Sequence, residues 1–184
     1  KEQKIKPIIG VELYHNDLFY EDNERYLAMK RGTSLIDNLE KKIKIENDVD
    51  TEEYGSDSDN NHFLVYARNY EGVKNIIHLS NIGFTNFYRK PLVSTELIYE
   101  KLDDNNIITT GCMQSKFNQM ILKGAGAEVE KLLKTFKDKF GDNLYLEVQI
   151  NGLKEQNEIN EFYYQASKKL DIKPVFALDA HYAN

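Results

Sequence analysis

Short apolar runs alternate with amphipathic stretches along most of this chain, and the alternation predicts strands separated by helices. Pro7-Ile8-Ile9-Gly10-Val11 is an apolar run expected to form a buried strand. His62-Phe63-Leu64-Val65-Tyr66-Ala67 predicts a second strand, followed by a helix over about 71–81 with Val73, Ile76, Ile77 and Ser80 on one face. Ser94 is placed to cap a short helix running through Leu102, and Asn106 to Thr110 reads as the next strand, ending at Gly111-Cys112. Helices are expected over 115–123 and 127–140; the second carries Val129, Leu132, Leu133 and Phe136 at helical spacing, with Gly141 as its stop. Leu144 to Ile150 predicts a strand, Lys154 to Leu170 an amphipathic helix, and Pro174 to Leu178 the last strand. Strands separated by helices of this length pair in parallel through right-handed crossovers. The expected fold is therefore α/β, with a barrel-like sheet of mostly parallel strands.

His15 to Asn61 interrupts the rhythm. It loses strand periodicity, gains acidic and Asn residues, holds a helix-like stretch around 35–45, and ends in the tract Gly55-Ser56-Asp57-Ser58-Asp59-Asn60-Asn61. It reads as an acidic insertion, mobile near its end, between two strands of one domain spanning 1–184. The opening strand follows only six polar residues, Lys1 to Lys6, with no initiating Met, so the chain is expected to start inside a domain whose first strand or strands lie upstream.

With 184 residues and 41% hydrophobic content the chain can close a core. No apolar run approaches the roughly 20 residues needed to span a bilayer, and the N-terminus has no apolar signal region. A soluble, cytoplasmic protein with no membrane partner is the expectation. Cys112 is the only cysteine, so no intrachain disulfide forms, and its thiol is left to pack or to bind metal. The net charge of −6 counts against direct binding of nucleic acid. Its distribution softens that objection: from Asp17 to Asp59 thirteen acids face six bases, which leaves the rest of the chain near +1. DNA would be held by a larger protein around this domain.

In parallel α/β folds ligands gather at the C-terminal ends of strands. Glu12, Cys112, Asn151 and the Asp179/His181 pair each follow an apolar strand, and carboxylate, thiolate and imidazole are common ligands of Zn, Mn and Fe. His62 begins its strand and joins the same rim only if its strand runs antiparallel to that of Glu12, with the acidic segment connecting the two. Taken alone, Asp179-Ala180-His181 fits a helix cap or salt bridge as well as a metal site, and Cys112 fits a small buried residue. Glu12 is harder to explain by packing, because an unpaired buried carboxylate is costly. His15 and His78 read as structural or solvated. Arg89 and Lys90, in Tyr88-Arg89-Lys90-Pro91, could meet a phosphate or form a solvated loop. Phosphate-loop, nucleophile-elbow and paired-cysteine motifs are absent from the sequence.

Several segments, in the same order, resemble a known family. Pro7-Ile8-Ile9-Gly10-Val11-Glu12, the block from His62 to Asn75, Phe87-Tyr88-Arg89-Lys90-Pro91, Thr110-Gly111-Cys112, Phe140 to Gln149, Asn151 to Gln156 and Leu178-Asp179-Ala180-His181-Tyr182 are similar to blocks of the PHP domains of bacterial-type DNA polymerase III alpha subunits. The resemblance covers nearly everything outside 15–61. It implies a distorted (β/α)-type barrel with up to three clustered metal ions (Zn, Mn or Fe) at its strand ends. It also implies a phosphoesterase-type site that in some members is a 3′-5′ exonuclease, where metal lowers the pKa of a water and stabilises the departing 3′ oxygen. In other members ligands are lost and the domain is a scaffold that docks a proofreading exonuclease.

The family's ligand positions fall on Glu12, His62, Cys112, Asp179 and His181. Asn151 stands where many members have His, as a residue that would support the ligands from behind. The family's His-X-His segment, a following Asp and a further His precede the first block and are not in this sequence. By itself the chain is expected to bind metal weakly and be inactive. The implied parent is a DNA-directed DNA polymerase, a nucleotidyltransferase of DNA replication using Mg at its own active site, with DNA and a proofreading exonuclease subunit as partners. A free-standing PHP phosphoesterase acting on small phosphate esters is the third reading, disfavoured by the Phe87 to Pro91 and Phe140 to Gln149 blocks. The acidic insertion is expected at the mouth of the site, screening it from phosphates.

Overall fold

Side-chain caps mark where the helices begin. Asn69 accepts a hydrogen bond from the Gly72 amide, Ser94 from Leu97 and Ser115 from Asn118, opening α1 (Tyr70–Thr85), α2 (Thr95–Lys101) and α3 (Lys116–Leu122). Two longer helices follow, α4 (Gly126–Phe140), which stops at Gly141, and α5 (Lys154–Leu170). The strands are β1 (Gly10–His15), β2 (Asn61–Ala67), β3 (Phe87–Tyr88), β4 (Lys90–Val93), β5 (Asn106–Thr109), β6 (Leu144–Gln149) and β7 (Lys173–Ala177). The computed structural model describes residues 7–17, 20, 61–88 and 90–180; the expected helix at 35–45 and the Gly55 to Asn60 tract lie outside the described residues.

The strands form one sheet in the order β3-β4-β1-β2-β5-β6-β7. β1 is parallel to β4 and antiparallel to β2, β2 is antiparallel to β5, β3 is antiparallel to β4, and β5, β6 and β7 are mutually parallel neighbours. Five of the seven strands thus share one direction, and only β2 and β3 oppose it. Among the described residues the sheet is not closed: β3 and β7 are its two edges. It is an α/β, mostly parallel arrangement, as the alternation of strands and helices predicts.

Residues opposite one another in a sheet share a face, so the register divides the strands into two sides. Leu13, Phe63, Val65, Ile108, Leu144 and Leu146 lie on one side, where Leu79, Ile98, Leu133, Phe136, Ile159 and Tyr163 of the helices cover them to form the core. Glu12, His62, Tyr66, Thr109, Glu147 and Gln149 occupy the other side. Helices buttress one face, and polar chemistry is collected on the opposite one.

Two elements differ from expectation. The first strand starts at Gly10 and runs to His15; Ile8 and Ile9, expected to be buried within it, are 78% and 47% exposed. Glu12 therefore sits within a strand and not beyond its end. The buried face of α1 is Gly72, Ile76, Leu79 and Gly83, and Ile77 is exposed, because close approach to the sheet is made through glycines that hydrophobic periodicity does not register. A Cβ at Gly72 would lie 2.1 Å from the Asn105 carbonyl oxygen. Among the described residues no helix is long and apolar enough to cross a membrane.

Candidate metal centre

Antiparallel pairing sets Tyr14 opposite His62 and Glu12 opposite Leu64, so Glu12 and His62 are diagonal neighbours on one face. That pairing is the one His62 needed to reach the rim. Gly10 lies opposite Tyr66, and a Cβ at Gly10 would come within 2.5 Å of the Tyr66 ring, so the missing side chain lets the ring lie across β1 on the site face. Past β5, Gly111 takes φ +72, a conformation side chains disfavour, and the turn delivers Cys112 beside His62.

Three donor atoms converge there. His62 Nδ1 is 3.1 Å from Glu12 Oε1 and 3.3 Å from Cys112 Sγ, and ligand atoms of all three residues lie within 4.8 Å of one another. Four-coordinate zinc with N, O and S donors implies ligand spacings of roughly 3.4–3.7 Å. One carboxylate, one imidazole and one thiol at this spacing suit a borderline cation such as Zn or Fe. Burial pushes the Cys112 thiol up to about 11, a hydrogen bond with the Gln114 backbone works the other way, and the carboxylates of Asp179, Glu12 and Glu147 push it further up. The thiol is thus neutral near pH 7 unless a cation draws off its proton.

Asn118, which sequence reasoning missed, fixes the Cys112 loop. Its Nδ2 donates to the carbonyls of Gly111 at 3.0 Å and Cys112 at 2.8 Å, while its Oδ1 accepts from the buried Tyr163 hydroxyl at 2.5 Å. The His62 amide donates to the Gln114 carbonyl, tying the loop to β2 from the other side. Asn118 lies in the first turn of α3, where Asn is unremarkable, so no local signal in the sequence singles it out.

The remaining candidates are spread around the rim. Asp179, two residues past β7, takes φ 51, and its charge acts on both the Cys112 thiol and the Tyr66 phenol, so it lies within electrostatic reach of the group. It is not one of the three residues whose ligand atoms cluster. Asn151 is exposed, and its Oδ1 accepts from the Leu153 amide, a local turn bond. Lys90 lies over the Tyr14 ring, 4.1 Å from its centroid. His181 and Arg89 lie outside the described residues.

A second polar network borders the first without sharing its residues. His15, only 4% exposed, sets Nε2 3.1 Å from Asp17 Oδ1 and 2.9 Å from Thr95 Oγ1. Asp17 accepts from the Thr95 amide, the Thr95 hydroxyl and Lys116 Nζ, at 2.6, 2.9 and 2.5 Å. Burial disfavours the Asp17 charge, but hydrogen bonds and charge from His15, with Lys116 and the Thr95 amide, hold its carboxyl well below the usual range. His15 is therefore structural, as expected, and the network pins the end of β1 to the starts of α2 and α3. His78 is exposed on α1.

Comparison with known proteins agrees with this architecture. The chain is 32% identical over 185 residues to the DNA polymerase III subunit alpha of Aquifex aeolicus, covering all of this chain and 14% of that protein. It is 33% identical over 180 residues to the subunit of the same name from Deinococcus radiodurans, covering 97% of this chain and 12% of that protein. The corresponding protein of Borreliella burgdorferi is 28% identical over 185 residues. The chain thus spans about one-seventh or less of the length of these relatives. The family model described as PHP domain matches residues 1–151, and with its sheet, its polar face and its Glu12–His62–Cys112 group, this chain belongs to the PHP domain family.

Proposed function

We propose that this chain is the PHP portion of a replicative DNA polymerase alpha subunit, and that Glu12, His62 and Cys112 hold a divalent cation in a phosphoesterase-type site, with Asp179 and His181 as further ligands. The observation that carries the reading is the convergence of the three donors from β1, β2 and the loop after β5. Relatives named DNA polymerase III subunit alpha that align with 97–100% of the chain support the polymerase context. Zn, Mn or Fe suits these ligands; Mg would serve the polymerase centre elsewhere in the parent protein.

A cation held here would supply Lewis-acid stabilisation of a phosphoester oxygen and would lower the pKa of a water. The chain's own residues supply the rest. Glu12 and His62 fix two donors on a rigid strand pair, Asn118 holds the Cys112 backbone, and Tyr66 presents a phenol that burial and the charges of Glu147, Glu12 and Asp179 keep protonated, so that it can donate to a phosphate oxygen. The acidic 15–61 segment leaves β1 and re-enters β2 at the paired residues His15 and Asn61, next to His62, which supports its role as a screen against phosphates. DNA is the substrate of the parent protein, in the cytoplasm, and a 3′-5′ exonuclease is the activity the site would serve.

The alternative reading is a scaffold that docks a separate proofreading exonuclease. Metal analysis and 3′-5′ exonuclease assays on the full-length protein separate the two. Stoichiometric metal with nuclease activity that falls in Glu12→Gln and His62→Ala supports the metal site as an enzyme. Full-length protein that binds no metal, yet retains an exonuclease subunit, supports the scaffold.

A further inference from the structure

On the sheet face that carries Glu12 and His62 lies a buried acid to which no ligand role is assigned above. Glu147, on β6, is only 3% exposed. Its Oε2 accepts from the Thr109 hydroxyl at 2.7 Å and its Oε1 from the Gln149 amide at 2.9 Å, while its own amide donates to Thr110 Oγ1 at 2.8 Å. These partners are all neutral. Among the described residues no Lys, Arg or His lies within ion-pair distance of it.

A buried carboxylate supported only by neutral donors is costly unless an opposite charge is near. The register places Glu147 on the same sheet face as Thr109, which lies opposite Leu64, which in turn lies opposite Glu12. The charge of Glu147 is felt at both Cys112 and Tyr66, together with those of Glu12 and Asp179. Three carboxylates therefore act on one region.

Resting on the metal-site reading above, we infer that Glu147 is a positioning residue for the cation: a buried charge, fixed by Thr109 and Gln149, that raises cation affinity through space at the expense of the cation-free fold. It attracts through the low-dielectric interior and without ligation, so its effect follows its charge and not its shape.

Two readouts on the full-length protein test this. Mn2+ and Zn2+ binding are measured by calorimetry, and thermal midpoints are measured for cation-free protein. Glu147→Gln keeps the side-chain length and removes the charge; it should weaken binding of either ion at least about tenfold, with a cation-free midpoint equal to or above that of the wild type. Gln149→Lys leaves Glu147 in place but neutralises it with an adjacent cation, and should act in the same direction. Glu147→Asp retains the charge and should keep most of the affinity.

Wild-type binding with unchanged affinity in Glu147→Gln and Gln149→Lys would overturn the inference and leave the metal site standing. A lower cation-free midpoint or collapse of Glu147→Gln, with affinity unchanged in Gln149→Lys, would reduce Glu147 to a structural hydrogen-bond acceptor. A wild-type protein that takes up neither ion removes the site and the role of Glu147 together.

Discussion

His62 Nδ1 lies 3.1 Å from Glu12 Oε1 although the two residues are not partners across the β1–β2 ladder, where His62 faces Tyr14. The contact is diagonal and exists because the two strands run antiparallel, which brings the start of β2 back beside β1. Cys112 then needs only the turn at Gly111 to complete the group. The centre is thus a product of strand direction and one glycine turn.

Binding of a cation at this centre should release a proton. Burial, helped by Asp179, Glu12 and Glu147 against the Gln114 backbone bond, pushes the Cys112 thiol up to about 11, so the ligand form is scarce near neutrality. Raising pH toward that value fills the thiolate form, and cation affinity should climb by up to about tenfold per pH unit. Calorimetry in buffers of different ionisation enthalpy reads the proton directly. The Cys112→Ser protein should lose this pH dependence.

The Asp17 network should make the fold acid-sensitive in a defined window. The folded-state carboxyl lies below its unfolded value, so its contribution is full above about pH 4 and fades as pH falls further through the acid range. Asp17→Ala should lower stability at pH 7 by about 2 kcal/mol and flatten the acid limb of a plot of thermal midpoint against pH. Unchanged acid sensitivity would show that another group controls it.

Removing the Asn118 side chain should affect both stability and the site. Asn118→Ala removes a donor from the Gly111 and Cys112 carbonyls, the latter keeping the Ser115 amide, and the acceptor of the Tyr163 hydroxyl, at a cost of about 2–3 kcal/mol. Cation affinity should fall with it, whereas Tyr163→Phe, which spares the bonds to the loop, should destabilise the fold with a smaller effect on affinity. Denaturant unfolding paired with calorimetry distinguishes the two.

Gly72→Ala should be among the most disruptive single-methyl additions in the chain. Its Cβ would meet backbone, the Asn105 carbonyl 2.1 Å away, and backbone cannot swing aside as a side-chain tip can. A loss of about 3 kcal/mol is expected from the forced shift of α1, checked by chemical denaturation.

Elements carried by periodicity and caps were legible in the sequence. α5 spans Lys154–Leu170 as the amphipathic pattern predicts, and Ser94 caps α2. Features that depend on distant partners were less so. The covered face of α1 is set by Gly72 and Gly83, which carry no hydrophobic signal, and Ile8 and Ile9 are apolar yet exposed. Three of the expected ligands were found within reach of one another, because their family blocks carry them in order. Asn118, Glu147 and the Asp17–Lys116 pair escaped notice, since each has a partner 38 or more positions away that no local spacing reveals.

The central claim is that one cation is held by Glu12, His62 and Cys112, and the optical spectrum of the Co2+-loaded full-length protein tests it most directly. Thiolate ligation gives a near-ultraviolet charge-transfer band, so the wild type should show that band at one equivalent bound to this centre, and Cys112→Ser should lose it while Glu12→Gln and His62→Ala weaken Co2+ uptake. A wild-type spectrum without the band, or one unchanged in Cys112→Ser, would contradict the site.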